Sequence, residues 1–242
     1  ERIALEAGTT WMDGELFSGA PNFKKMMNQK YEKLNFHEQS FIDNQVKTVC
    51  NMVDDWEVHK NGDLPEEVWN YLKKEKFFGM IVPKEYGGPG FSPPAIKAVA
   101  KKLSSHCLPL SINVMVPNSL GPAELLLHYG TKEQKDYYLP RLADGREMPC
   151  FALTEPTAGS DAGSIKSSGI IFKDKDGQIK VRLNWEKRYI TLAAISTVLG
   201  LAVKLRDPEN LLGKGEDLGI TCFLIASKTP GVILGKRHNA LG

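Results

Sequence analysis

The sequence predicts an α+β fold, with an N-terminal all-helical domain over residues 1–149 followed by a small antiparallel β domain over residues 150–242. Three observations predict it. Up to Pro149 apolar residues recur at the alternating three- and four-residue steps of an amphipathic helix. Beyond Pro149 the apolar runs become short, β-branched and aromatic, and turn-forming residues separate them. Between two of those runs stands Asp176-Gly177, a hairpin signal, because the left-handed backbone of such a turn tolerates Gly and Asp.

In "SFIDNQVKTVCNMVDDWEVHK" the residues Ile42, Val46, Val49, Val53 and Trp56 fall on one helix face and predict a core-facing helix. In "DLPEEVWNYLKK" Asp63 can cap, Pro65 suits the first turn, and Val68, Trp69 and Leu72 form the buried stripe. "YGGPGFSPP", residues 86–94, interrupts the pattern with a tight connection, after which Ile96, Val99, Ala100 and Leu103 restart it. "NSLGPAELLLHYG" ends at Gly130. Thr131 and Gln134 then form a capping box that opens "KEQKDYYLPRLADG", so an antiparallel helix pair is expected. The strands expected after Pro149 are "GIIFKD", "QIKVRLN", "AISTVLGLAVKL" and "GITCFLIAS", with "RDPENLLGKGEDLG" a polar surface loop between the last two.

Composition is that of a globular protein, 42% hydrophobic and 25% charged. The 31 basic and 29 acidic residues are spread along the chain and leave a net charge of +2, which gives no electrostatic footprint for nucleic acid. Cys50, Cys107, Cys150 and Cys222 lie far apart without CxxC spacing, and the histidines show no zinc spacing, so neither a metal site nor a disulfide framework is expected. That pattern suits a reducing, cytoplasmic compartment. The longest uncharged run, Tyr189 to Val203, is shorter than the roughly 20 residues a bilayer span needs. A chain that opens on Glu1 and stops just after "GVILGKRHNALG" reads as a piece of a longer protein.

The chemistry concentrates in "CFALTEPTAGSDAGS", Cys150 to Ser164. Its small residues let the backbone approach another object closely and aim successive N–H groups at one spot, as an anion such as a diphosphate requires. A plain serine and glycine turn leaving a strand accounts for the local pattern equally well. The stretch contains neither GxxxxGK[ST] nor GxGxxG.

Taken whole, the stretch resembles the signature of the flavin-dependent acyl-CoA dehydrogenases, and the likeness extends over nearly the entire chain. "IVPKEYGGPGFS" looks like that family's early turn, "NSLGPAELLLHYGTKEQKDYYLPRLADGR" like its approach to the middle domain, and "LNWEKRYIT" like its second flavin-contacting strand. With "ITLAAISTVLGLAVKL" and the long lead, the chain most resembles the bacterial long-chain branch of fatty-acid degradation. The resemblance implies that the β domain is barrel-like and truncated, and that a C-terminal helical bundle is absent. It also implies α,β-dehydrogenation of a medium- or long-chain fatty acyl-CoA to the trans-2-enoyl-CoA in β-oxidation. FAD would be the cofactor and an electron-transferring flavoprotein the acceptor.

By position, the resemblance puts Phe151, Leu153 and Thr154 on the flavin's pyrimidine side, and Ser160 where the diphosphate meets the acyl-CoA thioester arm. Tyr189, Ile190 and Thr191 match an aromatic-Ile-Thr triplet, with Tyr189 over one face of the ring and Thr191 near N5. The residue types suit a flat apolar slab with a polar rim. Many members carry Tyr where this chain has Phe151, Trp where it has Tyr189, and Gly where it has Trp185. Glu155 and Asp161 read as structural acids that cap or bond nearby backbone. The catalytic base is expected C-terminal to Gly242, so the segment alone is expected to be inactive. The intact protein is expected to be a homo-oligomer and cytoplasmic, with association at the inner membrane left open. A same-fold flavin oxidase or monooxygenase, or a non-catalytic flavin- or acyl-CoA-binding module, shares the same signatures.

Overall fold

The computed structural model describes residues 11–238 apart from 18, 29, 31 and 120. The chain divides into two compact units, residues 1–34 and 35–242. Among the described residues, the first holds two short helices, α1 (Trp11–Phe17) and α2 (Phe23–Met27). The Asn22 side chain caps α2, and the Glu15 carboxylate accepts from the Asn22 N–H at 3.0 Å.

The second unit opens with α3 (Phe36–Phe41), which passes through a π-helical turn (Ile42–Val46) into α4 (Lys47–Met52). Asn35 and Glu38 form a capping box at its start. The buried Glu38 carboxylate also accepts from Ser92 N–H at 2.8 Å, which ties this helix to the start of α7. Then come α5 (Asp55–Asn61), α6 (Glu66–Lys74), α7 (Pro93–Ser104) and α8 (Leu108–Met115), followed by α9 (Pro122–Tyr129) and α10 (Lys132–Ala143). The box expected at the start of α10 is present: Gln134 N–H donates to Thr131 Oγ1 at 3.3 Å and Thr131 N–H to Gln134 Oε1 at 2.9 Å.

Two helical details differ from the sequence reading. The expected stripe ends at Val53, whose extended backbone (φ −113°, ψ 124°) closes α4; Asp54 then caps a new helix, and Trp56 in its first turn is 68% exposed and stacks on His59. Asp63 does not cap α6. Pro65 occupies that position, and the Asp63 carboxylate accepts instead from Leu64 N–H at 2.7 Å and Trp69 Nε1 at 3.2 Å.

The helical core gathers Val46, Val49, Val68, Leu72, Phe77, Phe78, Leu103 and Leu110. Asn118 is buried at its edge with its polar atoms engaged: Nδ2 donates to the carbonyls of Phe77 (2.6 Å) and Val114 (2.8 Å), and Oδ1 accepts from Ile81 N–H (3.2 Å).

Five strands follow: β1 (Pro149–Ala152), β2 (Ser168–Lys173), β3 (Ile179–Asn184), β4 (Val198–Arg206) and β5 (Asp217–Ala226). Their order is β1-β4-β2-β3, with β5 on β4 as well. Helices followed by a sheet is the expected arrangement, but the sheet is mixed and not purely antiparallel. The β2–β3 and β4–β5 pairs are antiparallel, whereas β1 and β2 both run parallel to β4. The cause is the connectivity: β1 pairs with the first half of β4 and β2 with its end, so the chain must travel between them, and parallel strands require crossovers and not tight turns. The β2–β3 hairpin does turn at Asp176-Gly177, with Gly177 left-handed (φ +74°) and its N–H on the Asp174 carbonyl at 3.0 Å.

One face of the sheet buries Ala152, Leu201 and Val203 under Leu183, Trp185, Ile190, Phe223 and Ile225. On the other, Val198 and Leu224 join Ala123, Leu126, Leu139 and Leu142 of α9 and α10, so helices and sheet share a cluster. The loop between β4 and β5 is more than a polar excursion. Its fully buried Asp207 accepts from the N–H groups of Leu211 (2.9 Å) and Leu212 (2.7 Å). Replacing Asn118 by Ala strands three backbone groups at the core's edge and is expected to lower stability by about 2–4 kcal/mol in urea unfolding; a loss under about 0.5 kcal/mol would show that this hydrogen-bond set is dispensable.

Candidate functional site

The segment after β1, Leu153 to Ser167, and the segment after β3, Trp185 to Thr197, run beside one another. Arg188 N–H donates to the Thr154 carbonyl at 3.0 Å, and Lys187 Nζ donates to the Leu153 carbonyl at 3.0 Å and to Glu155 Oε1 at 2.8 Å. Phe151 stands in β1, and the other residues expected at the site are carried by two neighbouring loops and not by two adjacent strands. Tyr189, Ile190 and Thr191 lie in the β3–β4 crossover, where Tyr189 (φ +60°) and Leu192 (φ +67°) adopt the left-handed backbone that non-glycine residues seldom take and that a strand cannot contain.

The side chains divide into fixed and open ones. Phe151 is half-buried across Gly200 of β4, where an added Cβ would come within 2.8 Å of its ring. Leu153 and Thr154 are half-buried, and Ile190 packs on the cluster of Ala152, Leu201 and Val203. Ser160 and Thr191 are exposed, and Tyr189 is 58% exposed, its ring in an edge-on arrangement with His238 at 4.7 Å between centroids. Among the described residues, the hydroxyls of Thr154, Ser160 and Thr191 have no hydrogen-bond partner. A large exposed aromatic and three uncommitted hydroxyls on two joined loops can receive a flat ligand with a polar rim and a polar tail.

The joint itself is buried. The Glu155 and Lys187 side chains are 3% and 4% exposed. Besides Lys187, the Glu155 carboxylate accepts from Lys166 N–H at 2.6 Å and Ser167 N–H at 3.0 Å, and the Glu155 backbone pairs with Ala158 at 2.9 and 3.3 Å. Burial by itself pushes the carboxyl pKa up, but the Lys187 ammonium, with Ser167 and Lys166, more than offsets it and holds Glu155 at about 2. So held, Glu155 is a very weak base. Asp161 bonds the Ser164 hydroxyl and closes the short turn Ala162–Ser164. Glu155 bonds backbone N–H groups, as expected of it, whereas the Asp161 carboxylate bonds a side-chain hydroxyl and caps nothing. The sequence reading missed Lys187 as the partner of Glu155, and a lone lysine 32 residues away carries no local signal of that role.

Two family models match: the acyl-CoA dehydrogenase N-terminal domain over residues 32–146 and the acyl-CoA dehydrogenase middle domain over residues 150–242. The chain belongs to the acyl-CoA dehydrogenase family. It is 33% identical over 177 residues to the very long-chain specific acyl-CoA dehydrogenase of Rattus norvegicus mitochondria, covering 73% of this chain and 26% of that protein. Over 186 residues it is 32% identical to the caffeyl-CoA reductase-Etf complex subunit CarC of Acetobacterium woodii, covering 77% and 46%. Its structure matches that of glutaryl-CoA dehydrogenase from Mycobacterium smegmatis with a TM-score of 0.66 at 26% identity, over 82% of this chain and 47% of that one. The chain spans about half the length, or less, of the curated relatives it matches.

For this acyl-CoA dehydrogenase chain the ionised pair makes an acid prediction. The pKa of Glu155 is lower when folded than the roughly 4.3 of a free glutamate, so the stability it contributes is complete above that value and is lost as pH falls from about 4 toward about 2. Thermal midpoints measured across this window should fall less steeply for Glu155→Gln than for wild type; parallel profiles would contradict the ionised, paired state.

Proposed function

We propose that the full-length protein is an FAD-dependent acyl-CoA dehydrogenase that converts medium- or long-chain fatty acyl-CoA to the trans-2-enoyl-CoA. The observation that carries this reading is the joining of the two signature loops by Arg188 N–H and the Thr154 carbonyl, which sets the backbone before Tyr189 beside Thr154. When bound, FAD supplies the acceptor for the hydride that leaves the β carbon.

The residues present fit that group. The exposed Tyr189 ring offers a stacking face, and the free hydroxyls of Thr154 and Thr191 offer donors to a polar rim. Donors at that edge stabilise negative charge as it grows there. The exposure of Ser160 beyond the tight Glu155–Ala158 turn supports a part for it at the diphosphate and the thioester arm. Phe151, with Leu153 and Ile190, supplies the apolar side. Removal of the α proton needs a carboxylate of ordinary basicity. Glu155, held at about 2 by its ion pair, does not meet that need, which supports a base beyond Gly242.

An electron-transferring flavoprotein is the proposed acceptor, supported by the likeness to a subunit of a reductase-Etf complex. The same likeness favours a second reading, in which the enzyme runs toward saturation of an enoyl-CoA. A homo-oligomeric, cytoplasmic protein belongs to the proposal. Among the described residues no helix is long and apolar enough to cross a membrane.

The full-length protein should purify with bound FAD and oxidise palmitoyl-CoA in the presence of a dye or an electron-transferring flavoprotein, whereas residues 1–242 alone should not. Turnover by the 1–242 segment would overturn the placement of the base. Rapid reoxidation of the reduced enzyme by dioxygen would favour an oxidase or monooxygenase, and faster enoyl-CoA reduction with a reduced donor would favour the reductive direction.

A further inference from the structure

We propose that Glu155 and Lys187 are positioning residues for the cofactor: they set where the two flavin-contacting loops stand relative to each other without touching the flavin. The inference rests on the flavin reading above and adds to it a part for two residues that neither signature assigns to the ligand.

The geometry singles out this pair. Three separate pieces of chain converge on the Glu155 carboxylate. The first is its own loop, which turns back tightly at Ala158 and carries Thr154 before the turn and Ser160 after it. The second is the entry to β2, through the N–H groups of Lys166 and Ser167 at 2.6 and 3.0 Å. The third is the crossover, through Lys187 Nζ at 2.8 Å. Lys187 also reaches the Leu153 carbonyl at 3.0 Å, and its neighbour Arg188 holds the Thr154 carbonyl at 3.0 Å. The crossover is thus fixed at two consecutive residues immediately before Tyr189, and its partners immediately flank or include Thr154.

Energetics separate placement from mere stability. A buried ion pair is a weak source of net stability, because desolvating both charges costs about what their attraction returns, and apolar residues of similar volume often replace it without loss. What such replacements cannot supply is direction: a charge-assisted hydrogen bond fixes both distance and angle. The left-handed residues Tyr189 and Leu192 need that fixing, since a backbone in a sparsely populated region persists only where its surroundings hold it.

The test uses the full-length protein and two variants, Lys187→Met and the double variant Glu155→Gln with Lys187→Met. In the double variant no buried charge is left unpaired, and the single Gln carbonyl keeps one of the two backbone N–H bonds, since Lys166 and Ser167 donate to different oxygens of the carboxylate. Readouts are the thermal midpoint of the apoprotein, the dissociation constant for FAD and the visible band of the bound flavin. Lys187→Met is expected to lower both the midpoint and the FAD affinity. The double variant should regain part of the midpoint that Lys187→Met loses, yet bind FAD about tenfold more weakly or worse, the scale on which substitutions behind a binding site act elsewhere, with a shifted visible band. A double variant that binds FAD as tightly as wild type with an unchanged band overturns the proposal, as does one whose affinity and midpoint fall together. Wild-type protein that binds no FAD overturns the flavin reading itself.

Discussion

A carboxylate removed from water keeps its charge only if the protein replaces the hydrogen bonds that water gave it. At Glu155 that requirement is met by two backbone N–H groups of one segment and the ammonium of another, and meeting it draws three stretches of chain to one point. The rest of the site is arranged around this constraint. Thr154 precedes the buried acid and Ser160 follows it by one tight turn. The strip from Tyr189 to Thr191 hangs from the lysine that neutralises it.

Sheet topology explains why loops, and not strands, carry most of the residues expected at the site. Because β1 and β2 both lie parallel to β4, the chain needs long returns between its strands, and those returns gather at the ends of β1 and β3. The strands supply rigid ends. Gly200 of β4 leaves room for Phe151 to lie across the sheet, and the cluster shared by Val198, Leu224 and the α9–α10 pair holds the helical layer against the same strand. A site on loops anchored this way combines open side chains with a fixed backbone.

What was legible in the sequence was local. The Thr131–Gln134 box, the stop at Gly130 and the Gly177 turn depend on residues a few positions apart, and the structure contains all three. The helical stripe failed at Trp56 because periodicity is blind to the two extended residues, Val53 and Asp54, that restart the helix out of phase. The resemblance puts "RYIT" in a strand, yet two left-handed residues, Tyr189 and Leu192, bend the chain there into a crossover, fixed by tertiary bonds at Lys187 and Arg188. Parallel pairing of β1 with β4 is likewise long-range and has no turn to announce it. The site's membership came from likeness to a family; the bonds that assemble it came from the structure alone.

The most direct measurement is a crystal structure of the full-length protein with FAD bound. The account predicts Lys187 Nζ on the Glu155 carboxylate, Arg188 N–H on the Thr154 carbonyl, and the flavin ring against Tyr189 with its polar rim toward the Thr154 and Thr191 hydroxyls. A flavin seated elsewhere, or a Glu155 side chain turned to solvent while the flavin is bound, would contradict it.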